Sequence, residues 1–315
     1  MKNQIFKTLL FSLFIFSIQH SSAQITVYGS DACYGIKLSD NNFEQLKKST
    51  VYFVVPKYLI EDEVAFSEVI KKSWKYSKIE IIDETKFDNY LGHENAVFLS
   101  LGYSLFNGRI SETYYELWKF KNSEKGFGFN DNNKLVFGSF NIEYECDIRH
   151  KLAVAKSNQV NEILQQKNKI VNFKPYIIAN YLKIMSKSFS SQVSICAPHN
   201  VAQDALLDLS RDTLYITTNF LYKVNYFEDC EIEKLEETDL MSKYPFNYKF
   251  ITMDELNKKL NSKKKFYYYI FLEESSNLDV YSNMGELIFR SDVFQPPNRK
   301  LQMKQLIKAI NKKTK

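Results

Sequence analysis

Glycine and proline are scarce in this chain, nine and six among 315 residues. That excludes a collagen-like, low-complexity or linker-dominated molecule. Arginine is scarcer: Arg109, Arg149, Arg211, Arg290 and Arg299 are the full set. The forked donors that grip phosphates and read bases are therefore few. No G-x-S-x-G, H-E-x-x-H or dinucleotide fingerprint occurs. "GFGFN" (126–130) lacks the third glycine and the Lys-Ser/Thr pair of a phosphate loop, and reads as a hairpin turn. Beyond residue 23 no apolar run approaches the roughly 18 residues of a membrane-crossing helix. What the chain has instead is 25 Phe and 21 Tyr, the composition of a packed globular protein.

The opening, "MKNQIFKTLLFSLFIFSIQHSSAQ", carries Lys2 and Lys7, a ten-residue apolar core from Leu9 to Ile18, and Ser21-Ser22-Ala23 before Gln24. These are the parts of a secretory signal over residues 1–23, too short to span a membrane. A lipid anchor would need cysteine where Gln24 stands, so the expectation is a soluble exported product, periplasmic or extracellular, and not a lipoprotein. The remaining 292 residues carry 40 basic and 37 acidic side chains. A net charge of +3 builds no field for nucleic acid, and none is expected as a partner.

Past the leader the sequence repeats itself. "NFEQLKKSTVYFVV" (42–55) lies over "ALLDLSRDTLYITT" (205–218), so that Leu46, Thr50 and Tyr52 fall on Leu209, Thr213 and Tyr215. "KYSKIEIIDETKFDNYL" lies over "KYPFNYKFITMDELNKKL", "NAVFLSLGYS" over "FYYYIFLEES", and "YELWKF" over "GELIFR", the offset drifting from 163 to about 171. Four ordered blocks point to tandem duplication. Each copy reads as strand (50–55; 213–217), helix, strand (78–82; 248–252), short helix, strand (96–101; 266–272), strand (112–120; 287–290) and closing helix (175–189; 299–311). The expected class is α/β, with α+β as the alternative: two similar units, 24–190 and 191–315, each a helix-flanked mixed sheet of about four strands. The first copy also carries a hairpin-and-helix insert at about 121–170, and insertions are where partners are most often met. Tyr267-Tyr268-Tyr269 falls in the third strand of the second copy. A continuous apolar run reads there as a strand covered on both faces, and not as an aromatic binding platform.

Four cysteines, Cys33, Cys146, Cys196 and Cys230, suit disulfides in an exported chain and allow three pairings. Cys33 and Cys196 each precede the first-strand threonine of their copy by 17 residues. Copies packed about a pseudo-twofold axis would bring such equivalent positions together, so Cys33–Cys196 is the candidate disulfide. The competing zinc set, Cys146 with His150 and Cys196 with His199, lacks knuckle spacing. Cys196 with His199 as nucleophile and base has no third orienting group. No metal, cofactor or catalytic residue is assigned. "FEDCEIEKLEETD" (227–239) reads as a solvated helix face, without the glycine turn of a calcium loop. Lys300, Lys304, Lys308 and Lys312 recur every fourth residue on the last helix, an outer face with a possible weak contact to anionic surfaces as its minor reading.

The ending "SSAQ", the "TVYFVVP" strand and the "KYSKIEII…FDNYL…VFLSL" block resemble exported proteins of Gram-negative bacteria of uncharacterised activity. The resemblance implies export and carries no catalytic residue with it. The expected function is non-enzymatic binding or scaffolding of a protein or envelope component, in the cell envelope or outside the cell. The alternative is a secreted hydrolase whose catalytic carboxylates are dispersed in sequence.

Overall fold

The computed structural model describes residues 24–31, 33, 36–106, 109–121, 133–155, 159–165, 170–196, 203–225, 230–272, 277–291 and 298–314. The expected leader and the "GFGFN" turn lie outside them. The fold is mixed α/β, with two large mixed sheets of six and five strands. Sheet one contains β1 (Ile25–Val27), β2 (Thr50–Val55), β3 (Lys78–Asp83), β4 (Ala96–Phe106), β5 (Arg109–Phe120) and β6 (Lys134–Asn141), in the order β1-β6-β5-β4-β2-β3. Sheet two contains β7 (Leu214–Thr217), β10 (Tyr248–Ile251), β11 (Tyr267–Tyr269), β12 (Asp279–Ser282) and β13 (Glu286–Arg290), in the order β10-β7-β11-β12-β13. Between β7 and β10 a separate ribbon is formed by β8 (Tyr222–Asn225) and β9 (Glu231–Lys234).

Both sheets share one plan. A central strand (β2; β7) runs parallel to neighbours on either side, and the third strand turns back into an antiparallel meander. The registers also correspond. Val51 pairs with Ile79 and Val97, and Leu214 pairs with Tyr248 and Tyr267. The separations are 163, 169 and 170 residues (214 less 51, 248 less 79, 267 less 97).

Strand counts differ from the expected four. Residues 287–290 are the fifth strand of their sheet, because β12 intervenes, and β6 holds the matching place in sheet one. β6 lies within the span of the expected insert, 121–170, and is an integral strand of sheet one, pairing with β5 on one side and β1 on the other. The two helices that follow it, α3 (Cys146–Val154) and α4 (Val160–Gln165), bury Ile148, Leu152 and Val160.

The helices follow local signals. Before β2 stands α1 (Asp40–Lys48), begun by a capping box of Ser39 and Asn42. Next, α2 (Glu63–Ser73) is capped by Asp62, whose carboxylate accepts the Ala65 N–H at 2.9 Å, and it buries Phe66 and Ile70. The long α5 (Pro175–Ser191) starts on Pro175 and ends on Gln192 in the left-handed region. In the second half come α6 (Gln203–Leu209), α7 (Glu237–Met241), α8 (Met253–Leu260) with its Thr252–Glu255 capping box, and α9 (Arg299–Thr314).

The stack is ordered sheet one, α5, sheet two, α9. Val51, Phe53, Val97, Leu99 and Leu117 face α5 from one side; Tyr268, Tyr281 and Leu287 face it from the other, with Tyr215 beside them under Lys259 of α8. The opposite face of sheet two, with Leu214, Ile216, Tyr267, Tyr269 and Val280, packs on α6 and α9. Tyr267, Tyr268 and Tyr269 thus alternate between two cores, each at most 1% exposed, as a strand covered on both faces requires. By register, Tyr215, Ile251 and Tyr268 occupy the places of Tyr52, Ile82 and Phe98. The first set lies in the core shared with α5 and α8, between the sheets, whereas the second lies on the outer face of sheet one beside Phe87 and Tyr90. The sheets therefore stack head to tail and not about a twofold axis.

Candidate functional site

Three places gather polar groups, and they differ in access. The first is the seam between the sheets. Arg290 grips Asp279 through Nε at 2.8 Å and Nη2 at 2.7 Å, with both side chains at most 1% exposed. Asp279 also accepts the Tyr281 hydroxyl at 2.8 Å, and Arg290 Nη2 donates to the Ile25 carbonyl at 2.7 Å. From α5, the Asn180 side-chain amide donates to the Tyr268 hydroxyl at 2.5 Å and to the Ser282 carbonyl at 3.1 Å. Burial, then the nearby Asp279 charge, pushes the Tyr281 phenol far up; burial and Tyr181 do the same to Tyr268. These are paired, water-excluded groups that fasten β1, α5 and sheet two together.

The second is a crevice of about 240 Å³ at the carboxyl ends of β2 and β3, lined by Val55, Lys57, Ile60, Glu61, Glu63 and Asp83 among others. Ligands of α/β folds are commonly held at such strand ends. Here the mouth is acidic, and Asp83 is already committed: the Thr85 hydroxyl and N–H, as donors, hold its carboxyl below the usual range.

The third and larger is a crevice of about 400 Å³ between α7 and the start of α9, lined by Leu235, Glu236, Asp239, Leu240, Asn298, Arg299 and Lys300. Arg299 stacks over the Phe271 ring at 4.3 Å and donates from Nη2 to the Tyr222 carbonyl at 2.7 Å. Lys300 pairs with Asp239 at 3.5 Å. The β8–β9 ribbon adjoins it, with all four residues of β9 exposed. Tyr222, Ile232 and Leu301, on the ribbon and the first turn of α9, are among the exposed large apolar residues at 36%, 64% and 42%.

Cys33 and Cys196 are joined in a disulfide, Cα atoms 5.9 Å apart, and Cys146 is joined to Cys230 at the same Cα separation. The second bond ties α3 to the ribbon. Both thiols of the competing zinc set are thereby used, and His199 lies outside the described residues. No group of three or more His, Cys, Asp or Glu placed to hold a metal occurs among the described residues. His93 is exposed, its Nδ1 3.1 Å from the Tyr52 hydroxyl. The acidic run is not a helix face at residues 231–234, which form β9; among its described residues the helical ones belong to α7 (Glu237–Met241). Lys300, Lys304, Lys308 and Lys312 are exposed on α9 as their spacing requires. The ribbon and its crevice gave no sequence signal: β8 and β9 are four residues each, too short for a pattern of alternation to stand out.

Comparison with protein families, with curated proteins and with solved structures gives no match. No helix among the described residues is long and apolar enough to cross a membrane.

Proposed function

We propose that this chain is an exported protein of two duplicated α/β units that acts by binding, through the ribbon and crevice of its second unit. Two disulfides support an oxidising compartment. Shared strand order, matching registers and equivalent faces support duplication. The observation that carries the binding reading is the placement of Tyr222, Ile232 and Leu301 in the open beside a crevice edged by Glu236, Asp239 and Lys300. Exposed apolar groups with a charged rim are what contact surfaces present. The ribbon stands where the first unit has α2, so the units differ at this point. The paired charges of the seam, by contrast, are sealed from any substrate.

The test is cosedimentation of purified protein with washed cell envelopes, comparing wild type with Ile232→Asp/Leu301→Asp. Both positions are exposed, so the variant keeps its melting temperature. Retention falls at least tenfold if the ribbon makes the contact. Unchanged retention removes the ribbon, and turnover of ester, peptide or glycoside substrates by the purified protein replaces binding with the hydrolase reading.

A further inference from the structure

Gln24, the first residue of the expected exported chain, has no exposed area in the full-length chain. Its carbonyl accepts the Asn141 N–H at 2.8 Å, and its side-chain amide donates to the Ile270 carbonyl. The next carbonyl, that of Ile25, accepts Arg290 Nη2 at 2.7 Å. β1 thus carries the chain start into the seam beside the Arg290–Asp279 pair. An ordinary amino terminus there would place an ammonium within about 10 Å of the guanidinium, by backbone dimensions alone. Asp279 already takes two bonds from Arg290 and one from Tyr281. The other buried acid of this region, Glu143, two residues beyond the Gln24 partner Asn141, is paired with Arg149 at 3.2 Å. A further buried cation beside these two ion pairs is opposed both by desolvation and by like charge.

Glutamine at an amino terminus has a way out of this conflict. The α-amine nitrogen attacks the side-chain amide carbon, the bond from that carbon to Nε2 breaks, and Nε2 leaves as ammonia with the proton the amine gives up. The product is an uncharged five-membered lactam, and no oxidant or cofactor is consumed. We infer that the mature chain begins with pyroglutamate at position 24, a modification that resolves the buried terminus. This rests on the export reading, in which the leader ends at Ala23. The lactam keeps the side-chain oxygen Oε1, which has no hydrogen-bond partner among the described residues, and gives up the bond to Ile270. One neutral hydrogen bond is a smaller loss than an uncompensated interior charge.

Protein recovered after export is labelled intact with an amine-reactive reagent, digested and sequenced by mass spectrometry. The expected amino-terminal peptide starts at residue 24, is lighter than the glutamine form by one ammonia and carries no label at its terminus. A labelled, uncyclised Gln24 as the main species overturns the inference. A peptide starting elsewhere overturns the export reading instead, so the two failures are told apart. Gln24→Ala retains the amine and reports on the physical cause. Its melting temperature lies below wild type, and the gap narrows as the pH is raised through about 8, where α-amino groups lose their proton. A gap that does not change with pH refutes the charge argument.

Discussion

Removing the Asp279 carboxylate tests the seam most severely. Asp279→Ala deletes both carboxylate acceptors of a guanidinium that is itself only about 1% exposed, so Arg290 is left charged in the interior without its anionic partner while still bonded to the Ile25 carbonyl. Breaking a buried pair from one side costs roughly 3–5 kcal/mol, because the orphaned charge is not resolvated. The Tyr281 hydroxyl loses its acceptor as well. For a chain of this size such a loss lowers the melting temperature by about 10 °C. Urea denaturation of the oxidised protein measures it directly. Asp279→Leu/Arg290→Met removes both charges and should recover most of the loss, since apolar replacement of a buried pair is often near neutral. A single variant that loses less than about 1 kcal/mol, or a double variant no better than the single, refutes the reasoning.

Asn180→Ala strips the Tyr268 hydroxyl and the Ser282 carbonyl of their shared donor, for a loss of about 1–3 kcal/mol by the same denaturation assay. Gly29→Ala sets a methyl 2.6 Å from the Val193 carbonyl carbon; the overpacking costs about 1–3 kcal/mol, read as a lower urea midpoint. Cys33→Ser/Cys196→Ser opens a closure of 163 residues and should lose up to about 5 kcal/mol in the chain-entropy treatment, measured by calorimetry. Alkaline pH acts through the phenols. Burial first, with the Asp208 hydrogen bond adding to it, takes Tyr267 up to about 12, and burial raises Tyr115, Tyr268 and Tyr281 further. The folded chain holds these groups neutral while the unfolded chain ionises them near pH 10. The stability involved is complete below that pH and is lost as pH rises through 12. Phenolate absorbance from these residues should appear together with loss of circular dichroism; their titration near pH 10 in the folded protein would contradict it.

Long elements were readable because their patterns repeat. Ile178, Leu182, Met185 and Phe189 fixed the buried stripe of α5, and Thr50 and Thr213, at the start of β2 and just before β7, marked where the central strands begin. The parallel neighbours of the central strands followed from the order of helices and strands. β12 escaped notice because its four residues, Asp-Val-Tyr-Ser, all lie buried, Asp279 and Ser282 among them. Two polar residues in a strand read as a turn unless the partner Arg290 is known. The expected count of four strands per sheet therefore fell short of the five and six observed. The direction of stacking was beyond the sequence: the aromatic faces of Tyr52 and Tyr215 are alike in composition, and only tertiary packing decides which one receives α5. The ribbon surface was hidden for a related reason, since exposure of Ile232 is a property of the assembled fold.

The binding account is tested most directly by placing a photo-crosslinking residue at position 232, in the exposed ribbon, and another at position 64, an equally open site on α2, in protein exported by living cells. The account predicts a discrete adduct from position 232, abolished by Leu301→Asp, and none from position 64. Adducts from position 64 alone, or from neither site, would contradict it.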